Sequence, residues 1–193
     1  MKIKPKKMKK IVILFILISN LLSAQSTVNL DLKNGFRHFK FGSNPSQIKN
    51  IVIQNDQYSK NPNVKTYDYV GDGITNVSNV KVETVKLNFF KNKLYSIGVQ
   101  FVDADNPKDF ELYDYNKILS ALEQTYGKEW IVPSNPDGVI TNGAIWDGKK
   151  VRLELLMIDF SKSKSNPKNY GSNDGYIHVF DKKLNDEMYS SEF

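Results

Sequence analysis

The sequence predicts an α+β protein, an antiparallel sheet packed by one long helix over residues 107–126 and one short helix over residues 44–53. Three observations carry this. Two-residue apolar alternation runs through residues 80–102, with Val85, Leu87 and Phe89 marking one arm and Tyr95, Ile97, Val99 and Phe101 the other. Tyr115, Ile118, Leu119, Leu122 and Tyr126 then recur at helical spacing between Pro107 and Gly127. Strand-like stretches follow each helix in groups, the order of an antiparallel sheet with helices set to one side.

The elements follow in order. Residues 1–10 hold six lysines, residues 11–22 are apolar apart from Ser19 and Asn20, and Ser23-Ala24 is a small-residue cleavage site, so residues 1–24 read as a signal peptide. The apolar run is too short for a bilayer span, which takes about 20 residues. Residues 27–32 alternate weakly as a first strand, and Phe39 and Phe41 form a second alternation ending at Gly42. Ser43 or Asn44 can cap the short helix, Pro45 suits its first turn, and Ile48, Ile51 and Val52 would be its apolar stripe. Residues 55–63 are polar loop, and residues 64–70 a strand with Tyr67 and Tyr69 on one face.

Parity sets the register of the first hairpin. A three-residue loop, Lys91-Asn92-Lys93, opposes Leu87 with Ile97, Val85 with Val99 and Phe89 with Tyr95, whereas a plain two-residue loop would turn one apolar row outward. The long helix takes Asp105 or Asn106 as cap, Asp109 and Glu111 in its first turn, and Gly127 as its stop. A second hairpin turns through Asp147-Gly148, opposing Ala144 with Val151. Residues 151–160 are apolar on nearly both faces, as in a central strand, residues 161–175 a polar loop, residues 176–181 the last strand and residues 184–193 a tail.

Composition bounds function. The chain has 193 residues, enough for a core without staples, and no Cys, so disulfides, thiol nucleophiles and thiolate metal sites are excluded. Its formal charge of +6 lies wholly in the six amino-terminal lysines, leaving 21 basic against the 21 acidic groups. A nucleic-acid partner is therefore not expected, nor is a stable membrane anchor once the signal is removed. Residues 25–193 form one domain, with an arrangement of two intimately packed halves, 25–104 and 105–193, left open.

Chemistry-bearing motifs are thin. Ser46-Gln47-Ile48-Lys49 matches a Ser-x-x-Lys pattern, but so does Ser161-Lys162-Ser163-Lys164, and neither companion motif occurs. Asp103, Asp105, Asn106, Asp109 and Asp114 have Lys108 and Asp114 where a calcium loop needs Gly and Glu, and read as helix capping. His38 and His178 are the only histidines, each on a predicted strand, short of the three ligands a metal site takes. No catalytic residue, metal site or cofactor is assigned. The weak candidates for binding are aromatic: Trp146, expected to be partly exposed beside its turn, with Tyr67, Tyr69 and Tyr95.

The segments Phe39-Lys40-Phe41-Gly42-Ser43, Asn92-Lys93-Leu94-Tyr95-Ser96-Ile97 and Leu122-Glu123-Gln124-Thr125-Tyr126-Gly127-Lys128, followed by Trp146, resemble those of small exported bacterial α+β proteins of the Bacteroidota type, mostly uncharacterised. A more distant similarity is to β-lactamase-inhibitor-like helix-on-sheet modules, and to outer-membrane-assembly lipoproteins, whose lipid-bearing Cys this chain lacks. The resemblance implies a fold and a protein-binding habit, and no functional residue. The expectation is a secreted or periplasmic, non-enzymatic interaction domain whose partner is a protein or glycan of the cell envelope. The alternative is a cell-envelope hydrolase or carbohydrate-binding protein.

Overall fold

The computed structural model describes residues 27–54, 60–101, 110–162 and 173–191. The signal peptide and the acids Asp103, Asp105 and Asp109 with Pro107 lie outside these residues, as does most of the expected loop, residues 163–172.

One seven-stranded antiparallel sheet organises the chain. Its strands are β3 (Ile51–Ile53), β4 (Val64–Tyr69), β7 (Thr84–Phe90), β8 (Lys93–Gln100), β9 (Ile140–Asp147), β10 (Val151–Asp159) and β11 (Asn173–Asp181), in the spatial order β3-β4-β7-β8-β11-β10-β9. Two sequential meanders meet where β8 pairs with β11. Two small ribbons, β1 (Gly35–Phe36) with β2 (Phe39–Lys40) and β5 (Asn76–Val77) with β6 (Val80–Lys81), lie outside it.

The α+β antiparallel prediction holds, but the description by one long and one short helix does not. The described residues contain three helices: α1 over residues 27–33, α2 (Leu112–Tyr126) and α3 (Lys182–Ser190). The expected helix over 44–53 is a single 3-10 turn, Pro45–Gln47, in which the Asn44 N–H donates to Gln47 Oε1 at 2.8 Å. Ile48 leaves it in extended conformation, Asn50 turns the chain at φ 58°, and Ile51–Ile53 pair with β4. Three consecutive β-branched residues suit a pleated edge better than a helix. The reverse holds for residues 27–33, helical because Leu30, fully buried, anchors them to the core. Residues read as a tail form α3, whose amino terminus is capped by the Asp181 carboxylate accepting from Leu184 N–H at 2.9 Å.

Helix α2 starts at Leu112, not at 107. Phe110 is held outside it, buried at 1% exposure, with its N–H donating to Asn173 O at 2.7 Å and its ring against Gly175. The helix ends as predicted, Gly127 taking φ 82° while its N–H donates to Glu123 O. Tyr115, Ile118, Leu122 and Tyr126 are buried and Leu119 half-buried against one face of the sheet. That face is supplied by Val85, Leu87, Ile97, Val99, Leu153, Leu155, Ile177 and Val179, the alternate residues of four strands.

Apart from Tyr95, which moves to the opposite face, both hairpins keep the predicted faces by different routes. Leu87 opposes Ile97 and Val85 opposes Val99, but the turn is the two residues Lys91-Asn92, both left-handed at φ 49° and 61°. Parity is restored by a bulge in which Tyr95 is the extra residue, since Asn88 opposes Ser96 while Phe89 opposes Leu94. In the second hairpin Asp147 opposes Arg152, so the turn sits at Lys149-Lys150 rather than Asp147-Gly148. Asp31 of α1 explains the shift: its carboxylate accepts the N–H groups of Lys149, Lys150 and Val151, each at 2.9 Å. A tertiary acceptor outweighs the local turn preference.

Candidate functional site

The helices α1 and α2 contribute to the core on one face of the sheet, so the other face is where function can be sought. Its side chains come from the alternate set: Thr66 and Asp68 on β4, Lys86 and Asn88 on β7, Ser96, Gly98 and Gln100 on β8, Tyr176, His178 and Phe180 on β11, and Arg152 and Glu154 on β10. Helix α3 covers one end, where Met188 packs with Val64, Phe90 and Tyr95. Among the described residues no helix crosses the centre.

A chain of side-chain contacts spans five strands of this face. The Thr66 hydroxyl donates to Asn88 Oδ1 at 2.9 Å, and Asn88 Nδ2 donates to Ser96 Oγ at 3.3 Å. Ser96 Oγ lies 2.8 Å from His178 Nε2, and His178 Nδ1 lies 3.6 Å from Glu154 Oε2. Arg152 Nε sits 2.9 Å from the other Glu154 oxygen. The directions agree with one another. Asn88 already donates to Ser96, so the Ser96 hydroxyl is free to donate to Nε2. On the other side of the ring, Nδ1 faces the Glu154 carboxylate.

Gly98 is the gap in this row. It stands in the middle of β8, opposite Lys86 on one side and His178 on the other, and a Cβ built on it would meet no atom of the described residues within 4 Å. Other glycines of the sheet are filled positions: a Cβ at Gly143 would strike Pro133, and one at Gly175 would strike the Phe110 ring at 2.6 Å. Gly weakens a strand interior, and where no neighbour demands it the position marks the approach of another group. His178 retains 40% side-chain exposure beside this gap, whereas Ser96 is 2% exposed. Tyr176, at the upper rim, donates to Asp174 at 2.9 Å; burial and the Asp174 charge push its phenol well above the ordinary tyrosine range, so it stays neutral.

The order Ser96, His178, Glu154 is that of an acyl-transfer triad, but the frame differs. Ser96 lies mid-strand, and β8 is paired on both sides along Ser96–Gln100, which commits its backbone amides to the sheet. An oxyanion needs donors that are not so committed. The arrangement suits a pre-organised polar surface better than a nucleophile.

The aromatic candidates do not meet. Trp146 is fully buried, not exposed, with Nε1 donating to Gly127 O at 2.8 Å, because β9 turns it to the helix side to fill the space beside Tyr126. Tyr95 is buried under α3 on the opposite face. Tyr67 packs edge-on to Phe89, and Tyr69 edge-on to Phe39, its hydroxyl accepting from Gly73 N–H. His38 is exposed at the β1–β2 turn, and the described residues contain no group of three metal-ligating side chains. Ser46 and Lys49 are exposed on the single 3-10 turn and the bend after it.

Sequence reasoning passed over Ser96, Gly98 and Glu154, and weighed His178 only as a metal ligand. Their only trace is that small or polar residues occupy the outward positions of strands whose inward positions are apolar. No helix of the described residues is long and apolar enough to cross a membrane. The chain matches no protein-family model, and neither curated proteins nor solved structures show a significant similarity to it.

Proposed function

We propose that the protein is an exported, non-enzymatic binding domain whose ligand sits on the open sheet face over Gly98. The observation that carries this reading is the space above Gly98, which no described residue fills, within a row of fixed polar side chains. A ligand entering there meets groups already held in place, which lowers the ordering cost of association. The signal-peptide pattern and the likeness to small exported α+β proteins support a periplasmic or extracellular setting, with a protein or glycan of the cell envelope as partner.

The test compares the wild-type chain with Gly98→Leu, in which a side chain fills the gap. Both are assayed for co-sedimentation with washed cell-wall glycan and for binding to solubilised envelope proteins. Loss of binding in a folded Gly98→Leu protein supports the reading, and unchanged binding contradicts it. A hydrolase is the second reading, favoured only by the 2.8 Å Ser96–His178 contact. Stoichiometric labelling of Ser96 by a fluorophosphonate would establish it and displace the first.

A further inference from the structure

A second surface stands apart from the open face, at the end of the sheet where α3 meets the two hairpin turns. A cleft of about 670 Å³ there is lined by Lys91 of the β7–β8 turn, Lys149 of the β9–β10 turn, and Lys182 and Lys183 at the start of α3, together with the acids Asp186 and Glu187 and two serines. Three chain segments far apart in sequence bring four ammonium groups to one concavity, in a chain whose positive and negative groups otherwise balance once the amino-terminal lysines are set aside. The volume lies within the range of small-ligand sites.

The lysines are placed against local preference. Cations in the first turn oppose the helix dipole, yet Lys182 and Lys183 occupy it and no acid does. Two acids, Asp186 and Glu187, line the cleft with the four lysines, and other nearby acids hold the frame. Asp147 takes Lys182 at 2.9 Å, and the same ammonium donates to Gly148 O at 3.1 Å. Glu187 stands 3.9 Å from Lys183, Asp181 caps α3, and Asp31 fills the amides of the β9–β10 turn. Among the described residues, Lys91 and Lys149 are paired with no carboxylate. The helix amino terminus itself, capped by Asp181, is not the site.

We infer that this cleft binds a compact ligand carrying two or more phosphate groups. Lysine acts as a point charge that suits a tetrahedral oxyanion from any side, whereas a planar carboxylate is better matched by the arginine fork, and the cleft holds only lysines as cations. This site is independent of the Gly98 reading.

The test is titration of the full chain with tripolyphosphate, followed by calorimetry and amide chemical shifts at low and at physiological salt. Saturable one-to-one binding with shifts at Lys91, Gly148, Lys149 and Lys183 is expected. Lys149→Gln and Lys183→Gln, both on exposed side chains, should each weaken it about two- to fivefold, the range of one partly exposed charge contact. Lys65→Gln, on exposed β4 surface, should leave it unchanged. Absence of saturation, an equal loss in Lys65→Gln, or citrate binding as tightly as tripolyphosphate would each overturn the inference.

Discussion

Replacing Gly98 by Ala should stabilise the protein, the opposite of what a glycine in the centre of a sheet usually suggests. The position does not have the left-handed φ that favours glycine, and an added Cβ meets no described residue within 4 Å, so neither strain nor clash with them is introduced. What remains is the conformational freedom that glycine loses on folding, about 0.5–1 kcal/mol relative to Ala in a regular element. For a chain of this size each 1 kcal/mol moves the melting midpoint by about 2–4 °C, so Gly98→Ala should melt about 1–4 °C higher. Gly175→Ala is the matched control on a neighbouring strand, where the Phe110 ring stands 2.6 Å from the added atom, and it should lose about 1–3 kcal/mol. Urea denaturation of the three proteins followed by tryptophan fluorescence measures both. A destabilised Gly98→Ala, or a Gly98→Ala and Gly175→Ala pair that behave alike, would refute the claim that the space above Gly98 is vacant.

Other consequences follow from single contacts. Trp146→Ala removes the largest fully buried side chain and its bond to Gly127 O, and should cost about 3–5 kcal/mol by chemical denaturation. Asp31→Ala deprives three backbone donors of their acceptor; with two of them able to turn to water, the loss should be about 2 kcal/mol, and amide exchange at Lys149–Val151 should quicken. Ser96→Ala removes the hydroxyl partner of His178 Nε2, so the Nε2 nitrogen shift should move while that of Nδ1 changes less and the fold persists. At alkaline pH, burial holds the Tyr115 phenol up to about 12 and also raises those of Tyr126 and Tyr176. Their contribution to stability is therefore complete below the ordinary tyrosine value near 10 and is lost as pH rises through the folded-state values, which phenolate absorbance of folded and denatured protein will register.

Sequence patterns located what burial writes into composition. The inward residues of β7 and, Tyr95 apart, of β8, the apolar stripe of α2 and the stop at Gly127 were all legible, because each depends on local periodicity and a hydrophobic face. Three things were not. The segment 51–53 carries a weak helical stripe in sequence, but pairing with β4 decides its conformation. The β9–β10 turn moved by two residues because Asp31, more than a hundred residues earlier in the chain, supplies its acceptor. Tyr95 was assigned to the apolar face by parity, which cannot reveal a bulge that adds a residue while keeping the remaining register. The candidate site was least visible of all. Thr66, Asn88, Ser96, His178 and Glu154 come from five strands and share no sequence motif. Only the strand order, set by the β8–β11 pairing between the two meanders, brings them into one row. Trp146 shows the same limit: position beside a turn suggested exposure, whereas facing is set by register.

The open face is tested most directly by amide chemical-shift mapping of the isotope-labelled protein titrated with solubilised cell-envelope glycan and protein fractions. Shifts confined to Lys86, Ser96–Gln100, Glu154 and Tyr176–Phe180, and abolished by Gly98→Leu, are the predicted result. Shifts confined to the helix side or to the β3 edge, with the Gly98 row unmoved by every fraction, would contradict it.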